Sequence, residues 1–163
     1  MTKPKVFLTR KWPRKAEEAI GEIFDVTLNK NDVRLSKLEI AKAFAVHDAI
    51  APTFGDVIDK SVIEYGFKGQ GKIISNFGVG VDHIDIETCK KFNIPVTNTP
   101  DVLTDATAEI SILLMLMVAR RALEGEKQIR ENIWSGWHPT HLMGSLVNGK
   151  TLGIIGMGRI GQE

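Results

Sequence analysis

Lys150-Thr151-Leu152-Gly153-Ile154-Ile155-Gly156-Met157-Gly158-Arg159-Ile160-Gly161 joins an apolar run, read as a buried strand over 150–155, directly to a G-x-G-x-x-G turn. That context gives the glycine spacing its meaning. Gly156 permits a tight turn, Gly158 lets backbone approach a pyrophosphate, and Gly161 allows close packing of the following helix. The opening amides of that helix, from Arg159 and Ile160, would face phosphates and gain from the helix dipole. A glycine-rich strand-to-helix turn without a ligand is the plainer alternative. A complete dinucleotide site also needs a full helix, a further strand and a ribose-reading residue about twenty positions on. None of these falls within the 163 residues. The chain is therefore expected to be the front part of a longer enzyme, with the strand at 150–155 left without a sheet.

Working outward, short apolar runs alternate with stretches of helical period. Val6-Phe7-Leu8-Thr9, Phe24-Asp25-Val26-Thr27-Leu28, Ala49-Ile50-Ala51, Lys72-Ile73-Ile74-Ser75 and Ile94-Pro95-Val96-Thr97 read as five strands. Arg14 to Ile23, Ser36 to Phe44, Asp59 to Tyr65 and Asp85 to Phe92 place apolar residues three and four apart, as amphipathic helices do. Strand-helix alternation with short connections predicts parallel pairing, so residues 1–100 should form an open, five-stranded α/β sheet. Pro95 puts the fifth strand at an edge, or itself at that strand's start. A helix follows from Thr104 through Val118, with Thr104 as its cap and Arg120 and Arg121 near its end. Being apolar nearly all round, it should lie buried between two layers. Residues 126–148, with Trp134, Trp137, His138, His141 and Pro139, show no sustained period and read as an arm.

With 21 Lys+Arg against 20 Asp+Glu, the formal charge is +1, which excludes nucleic-acid binding by bulk charge. A hydrophobic content of 43% is too high for a disordered chain. At about 150 residues per domain the length predicts one compact unit. A single cysteine, Cys89, permits no internal disulfide and points to a reducing, cytoplasmic setting. The longest apolar run, Ile112 to Ala119, is far short of the roughly twenty residues of a membrane span, so no membrane association is expected.

Asn76-Phe77-Gly78-Val79-Gly80-Val81-Asp82 follows the fourth strand, at the end where open parallel sheets bind ligands. Two glycines around one valine would expose successive amides suited to a carboxylate; a plain turn is the alternative. Asp82-His83-Ile84-Asp85 suggests either acid-base or metal chemistry, or Asp85 as a helix cap beside a solvated His83. The second reading is preferred, because a metal needs more ligands than this spacing supplies. His138 and His141 are not expected to bind metal. His47 and Cys89 read as structural, Met115, Met117 and Met143 as core filling, and Trp134 and Trp137 as anchors for a partner chain.

Three segments together resemble the D-isomer-specific 2-hydroxyacid dehydrogenases, most closely their glyoxylate/hydroxypyruvate reductase branch. They are Asn76 to Asp85, Ile94 to Glu109 and Gly149 to Gln162, and the likeness extends over nearly the whole chain. The resemblance implies a flavodoxin-like open parallel sheet as substrate domain, followed by the start of a Rossmann dinucleotide-binding domain. Residues 1–100 would be the N-terminal part of the substrate (catalytic) domain. Residues 101–163 would hold an interdomain helix, a dimerisation arm at 125–148 serving a homodimer, and the first strand and glycine-rich turn of an NAD(P)-binding domain.

It further implies an oxidoreductase that transfers a hydride between NAD(P)H and a small 2-oxo or 2-hydroxy acid, glyoxylate or hydroxypyruvate first. The backbone amides of Val79 and Gly80 would hold the substrate carboxylate. Thr104 would lie near the cofactor, which Gly156, Gly158, Arg159, Ile160 and Gly161 would contact; NAD and NADP stay open. The family's catalytic arginine, glutamate and histidine would come from later in the sequence, so no catalytic residue is assigned here and the isolated chain is expected to be inactive. The competing reading is a non-catalytic truncated pairing module. A flavin-binding flavodoxin-like domain fits less well, since Thr9-Arg10-Lys11-Trp12-Pro13 lacks the small residues of a phosphate loop.

Overall fold

A computed structural model describes residues 2–163. It divides into two compact units, one ending at Asp101 and the other Val102–Glu163, where length alone suggested one. The first unit alternates β1 (Lys5–Leu8), α1 (Arg14–Ile23), β2 (Asp25–Leu28), α2 (Lys37–Val46), β3 (Ala49–Ala51), α3 (Lys60–Phe67), β4 (Ile73–Ser75), α4 (Ile86–Lys91) and β5 (Val96–Thr97). All five strands pair in parallel, in the order β2-β1-β3-β4-β5. The expected α/β open parallel sheet is thus present. Pro95 immediately precedes β5, which is an edge strand, so the proline removes no ladder donor from the sheet interior.

Period-two alternation sends successive strand residues to opposite faces. Phe7, Ile50 and Ile74 join one apolar cluster with Ile40 and Phe44 of α2 and Val62 and Ile63 of α3. Val6, Leu8, Ala49, Ala51 and Ile73 join another, packed with Ile20 of α1, Trp12 and Phe24. Phe44 is the pivot of the first cluster. A Cβ at Gly66 or Gly71 would overlap its ring, so both positions need glycine for close approach rather than for a turn. The helices are started by local chemistry. Ser36 and Glu39 form a reciprocal capping box on α2, Asp59 accepts from the amides of Ser61 and Val62 at α3, and Asp85 accepts from Thr88 at α4.

The second unit contains α5 (Thr104–Ala119), α6 (Ala122–Arg130) and α7 (Arg159–Gln162), and departs from expectation in five ways. Residues 150–155 form no strand, and Ile155 is fully exposed, because no neighbouring strand among the described residues accepts its ladder or covers its side chains. Helix α5 buries none of its residues, for the same lack of facing layers. Thr104 is the first helical residue and not the cap. Leu103 takes the cap position without a side-chain acceptor, and Arg120 already lies past the last turn. The expected arm is partly helical, since α6 fills 122–130 and is started by Arg121 in the left-handed region, its guanidinium paired with Glu124. Met115 and Met143, expected as core filling, are exposed. Among the described residues no helix is long and apolar enough to cross a membrane, and no group of three or more His, Cys, Asp and Glu could hold a metal.

Candidate functional site

Near the C-terminal ends of β1, β3 and β4 lie three buried polar residues, Thr9, Asp56 and Asn76. Asn76, 2% exposed, follows β4 directly, and its side-chain amide reaches over the next turn. Asn76 Nδ2 donates to the carbonyls of Gly78 (3.1 Å) and Gly80 (2.9 Å). The Gly78 carbonyl also accepts from the Thr99 amide at 3.0 Å, and Asn98 Nδ2 donates to the Val79 carbonyl at 2.9 Å. Three successive carbonyls are therefore turned into the protein. A trans peptide plane holds each carbonyl opposite to the next amide, so the N–H groups of Val79, Gly80 and Val81 are turned away from those donors. Among the described residues the amides of Val79 and Gly80 have no acceptor. Val79 is half-buried and Gly80 exposed, which leaves this pair of donors open to an anion.

The loop is anchored from several sides. The Phe77 amide donates to the Pro52 carbonyl at 2.8 Å, and the Phe77 ring packs against Trp12 with centroids 5.1 Å apart. Below it, buried Asp56 accepts from Thr9 Oγ1 at 2.5 Å and from the Thr53 amide at 2.8 Å, tying the ends of β1 and β3 together. The second oxygen of Asp56, Oδ1, and the indole nitrogen of Trp12 are buried without a partner among the described residues. His83 Nε2 lies 2.9 Å from Asn76 Oδ1. His83 is thus hydrogen-bonded and half-buried, where a solvated ring was expected. Burial pushes its pKa below the ordinary 6.5, while the carboxylates of Asp56 and Asp82 pull the other way. Asp85 does cap α4, as the sequence suggests.

The remaining candidates divide by unit. Val79 and Gly80 belong to the first; Thr104, Gly156, Gly158, Arg159, Ile160 and Gly161 belong to the second. Gly156 has φ +98°, a left-handed conformation open to glycine, and a side chain on Gly161 would overlap the Gly156 carbonyl. Nothing lies near the position of a Cβ on Gly158, so the backbone there is open to approach. Gln162 Nε2 donates to the Met157 carbonyl at 2.9 Å and helps hold the turn. The residue types and backbone geometry thus fit a phosphate-contacting turn. Thr104 opens α5, whose later residues Ala108, Ser111 and Met115 line a cleft of about 460 Å³ with Ile154, Gly156 and Gly161.

His47, His141 and the cysteine are occupied structurally. His47 contacts the Ala43 carbonyl through Nδ1 and Thr27 Oγ1 through Nε2, and His141 Nε2 meets Gln128 Oε1 at 2.6 Å. Burial pushes the Cys89 thiol up to about 11, which keeps it protonated and inert. Sequence reading gave no role to the side chains of Asn76, Asn98 and Asp56. The available signal was a polar residue placed directly after each of two apolar strand runs, at the ligand-binding end of a parallel sheet.

Over residues 6–151 the chain matches the family described as D-isomer specific 2-hydroxyacid dehydrogenase, catalytic domain. It is 41% identical to the glyoxylate reductase of Pyrococcus horikoshii, covering 98% of this chain and 48% of that protein. It is likewise 41% identical to the glycerate dehydrogenase of Hyphomicrobium methylovorum, covering 99% of this chain and 50% of that one. A crystal structure of the NADPH-dependent glyoxylate/hydroxypyruvate reductase of Sinorhizobium meliloti, in complex with NADP and malonate, superposes with a TM-score of 0.79. The two are 28% identical, over 99% of this chain and 48% of that one. The chain spans about half the length of the curated relatives it matches.

Proposed function

The chain belongs to the D-isomer-specific 2-hydroxyacid dehydrogenases, and from that premise we propose that it contributes the carboxylate-binding loop and the glycine turn of an NAD(P)-dependent oxidoreductase acting on a small 2-oxo or 2-hydroxy acid. Glyoxylate and hydroxypyruvate are the first substrates to consider, given the names of its relatives. The observation that carries this reading is the Asn76–Gly80 loop, whose Gly78, Val79 and Gly80 carbonyls are tied to protein donors while the amides of Val79 and Gly80 lack acceptors. Charge-assisted bonds from those two N–H groups would hold the substrate carboxylate and orient the 2-oxo carbon.

The rest of the assignment follows the same premise. Residues 1–100 serve as substrate-domain structure, and 101–163 as interdomain helix, arm and start of the cofactor domain. A bound nicotinamide cofactor, NAD or NADP, supplies the hydride. Gly156, Gly158, Arg159, Ile160 and Gly161 contact its pyrophosphate, with Thr104 nearby. Trp137, 89% exposed beside Trp134, anchors a homodimer contact through residues 125–148. A reducing cytoplasm suits the buried, unpaired Cys89.

Reduction of a 2-oxo acid also needs a cation at the carbonyl oxygen and a proton donor. His47, His83 and His141 are each engaged with protein groups and His138 packs beside His141 in the second unit, so none of the four histidines is assigned that task. The 163-residue chain alone is therefore expected to bind without turning over. Titrating the ¹⁵N-labelled chain with glyoxylate should move the Val79 and Gly80 amide resonances saturably, in the millimolar range. If those two stay still, the carboxylate assignment is wrong. In parallel, NADH and NADPH with glyoxylate or hydroxypyruvate should give no oxidation of the reduced cofactor; measurable turnover would overturn the claim that further groups are required.

A further inference from the structure

His83 follows the loop that carries the Val79 and Gly80 amides, and it is bonded to the side chain that shapes that loop. Asn76 Nδ2 donates to two carbonyls, those of Gly78 and Gly80. Its Oδ1 must then be the atom that accepts, and the atom facing it is His83 Nε2 at 2.9 Å. Nε2 accordingly carries a hydrogen. Reversing the Asn76 amide would set its oxygen against two carbonyl oxygens and its NH₂ against the Nε2–H. Only one orientation satisfies all three partners, and Asn76 is 2% exposed, so no solvent can compensate for the other.

We propose that His83 is a positioning residue: its Nε2–H fixes the Asn76 amide, which pulls the Gly78 and Gly80 carbonyls inward and thereby aims the Val79 amide at the substrate carboxylate. The inference rests on the carboxylate reading above only for its last link. Nε2 keeps its hydrogen in both the neutral and the protonated ring, so the bond to Asn76 survives titration of His83. The groups that share its surroundings, Asp56 and Asp82, bear on the ring's charge and leave this donor unchanged.

A glutamine nitrogen stands about where the histidine Nε2 does, so His83→Gln should keep the donor, while His83→Leu removes it at similar bulk. Three measurements on the full chain separate the possibilities. Imidazole ¹⁵N shifts should report the Nε2–H tautomer, and an Nδ1–H tautomer overturns the proposal. Exchange of the Asn76 Nδ2 protons and of the Thr99 amide should quicken about fivefold in His83→Leu, the size of one lost hydrogen bond, and return to the original rates in His83→Gln. Equal rates in all three proteins overturn the positioning role, whether or not anything binds. Glyoxylate affinity, read at the Val79 and Gly80 amides, should fall about fivefold in His83→Leu and recover in His83→Gln. If exchange follows this pattern while glyoxylate moves neither amide in any protein, the positioning role stands and the carboxylate reading fails.

Discussion

Ile50 and Ile155 both sit in short apolar runs that read as buried parallel strands, yet Ile50 is wholly sealed and Ile155 wholly exposed. Ile50 lies in β3, between β1 and β4, with helices over its face. Ile155 has no strand beside it among the described residues. The same contrast holds for helices. Phe44 in α2 is fully buried against α3 and the glycines at 66 and 71, whereas Leu113, Leu114 and Leu116 of the more apolar α5 remain well exposed. Apolar surface drives burial only where a second surface is present to receive it. The first unit meets that condition from its own residues and the second does not.

The contrast is broken most directly by truncating one residue on each side. Phe44→Ala should cost about 3–5 kcal/mol in urea unfolding of the first unit, while Ile155→Ala should stay within about 0.5 kcal/mol. Comparable costs at the two positions would mean that Ile155 is buried in solution, against the full exposure described above. A smaller effect sharpens how the first unit is built. Asp59→Ala removes both the α3 cap and the partner of Lys37, 2.6 Å away, and should cost about 1 kcal/mol.

The same carboxylate has an acid signature. The hydrogen bonds from Lys37 and Ser61 hold Asp59 down at about 2, against its ordinary 3.8. A depressed carboxylate stabilises fully above its unfolded value, so this contribution should persist above pH 3.8 and fade as the pH falls toward 2. An Asp59→Ala unfolding curve with the parent's acid dependence would remove Asp59 as its source. Smallest is the effect of His83, whose pKa is lowered mainly by burial. Its contribution should be complete above pH 6.5 and decline below that as the ring is forced to charge, a decline His83→Gln should abolish. Both effects belong to the first unit's transition. The second unit's exposed Arg121–Glu124 pair is solvent-screened and should add little of its own.

Much of the first unit was legible beforehand because each of its signals is local. Strand runs, helical period, the Asp85 cap and the edge-marking Pro95 act within a few residues, whereas the Ser36 and Asp59 caps emerged only in the structure. The Val79–Gly80 loop was visible as a glycine pattern after a strand. What held it was not, since Asn98 and Thr99 come about twenty residues later and the role of Asn76 depends on a rotamer and a partner seven residues away. In the second unit, the glycine spacing correctly anticipated Gly156 in a left-handed turn and a helix start after Gly158. The strand before it and the burial of α5 were misjudged because both depend on neighbours that composition and period do not reveal.

The sequence by itself determined where apolar runs and helical period place the elements of the first sheet, the parallel pairing that short strand-helix connections enforce, and the family to which the chain belongs. Tertiary structure alone decided which carbonyls are tied, which amides are left to meet an anion, that His83 grips Asn76, and that Ile50 is sealed while Ile155 is bare. Propensity and period are properties of neighbouring residues along the chain. Hydrogen-bond partnership and burial belong to surfaces brought together from distant parts of it, and they exist only where both surfaces are present.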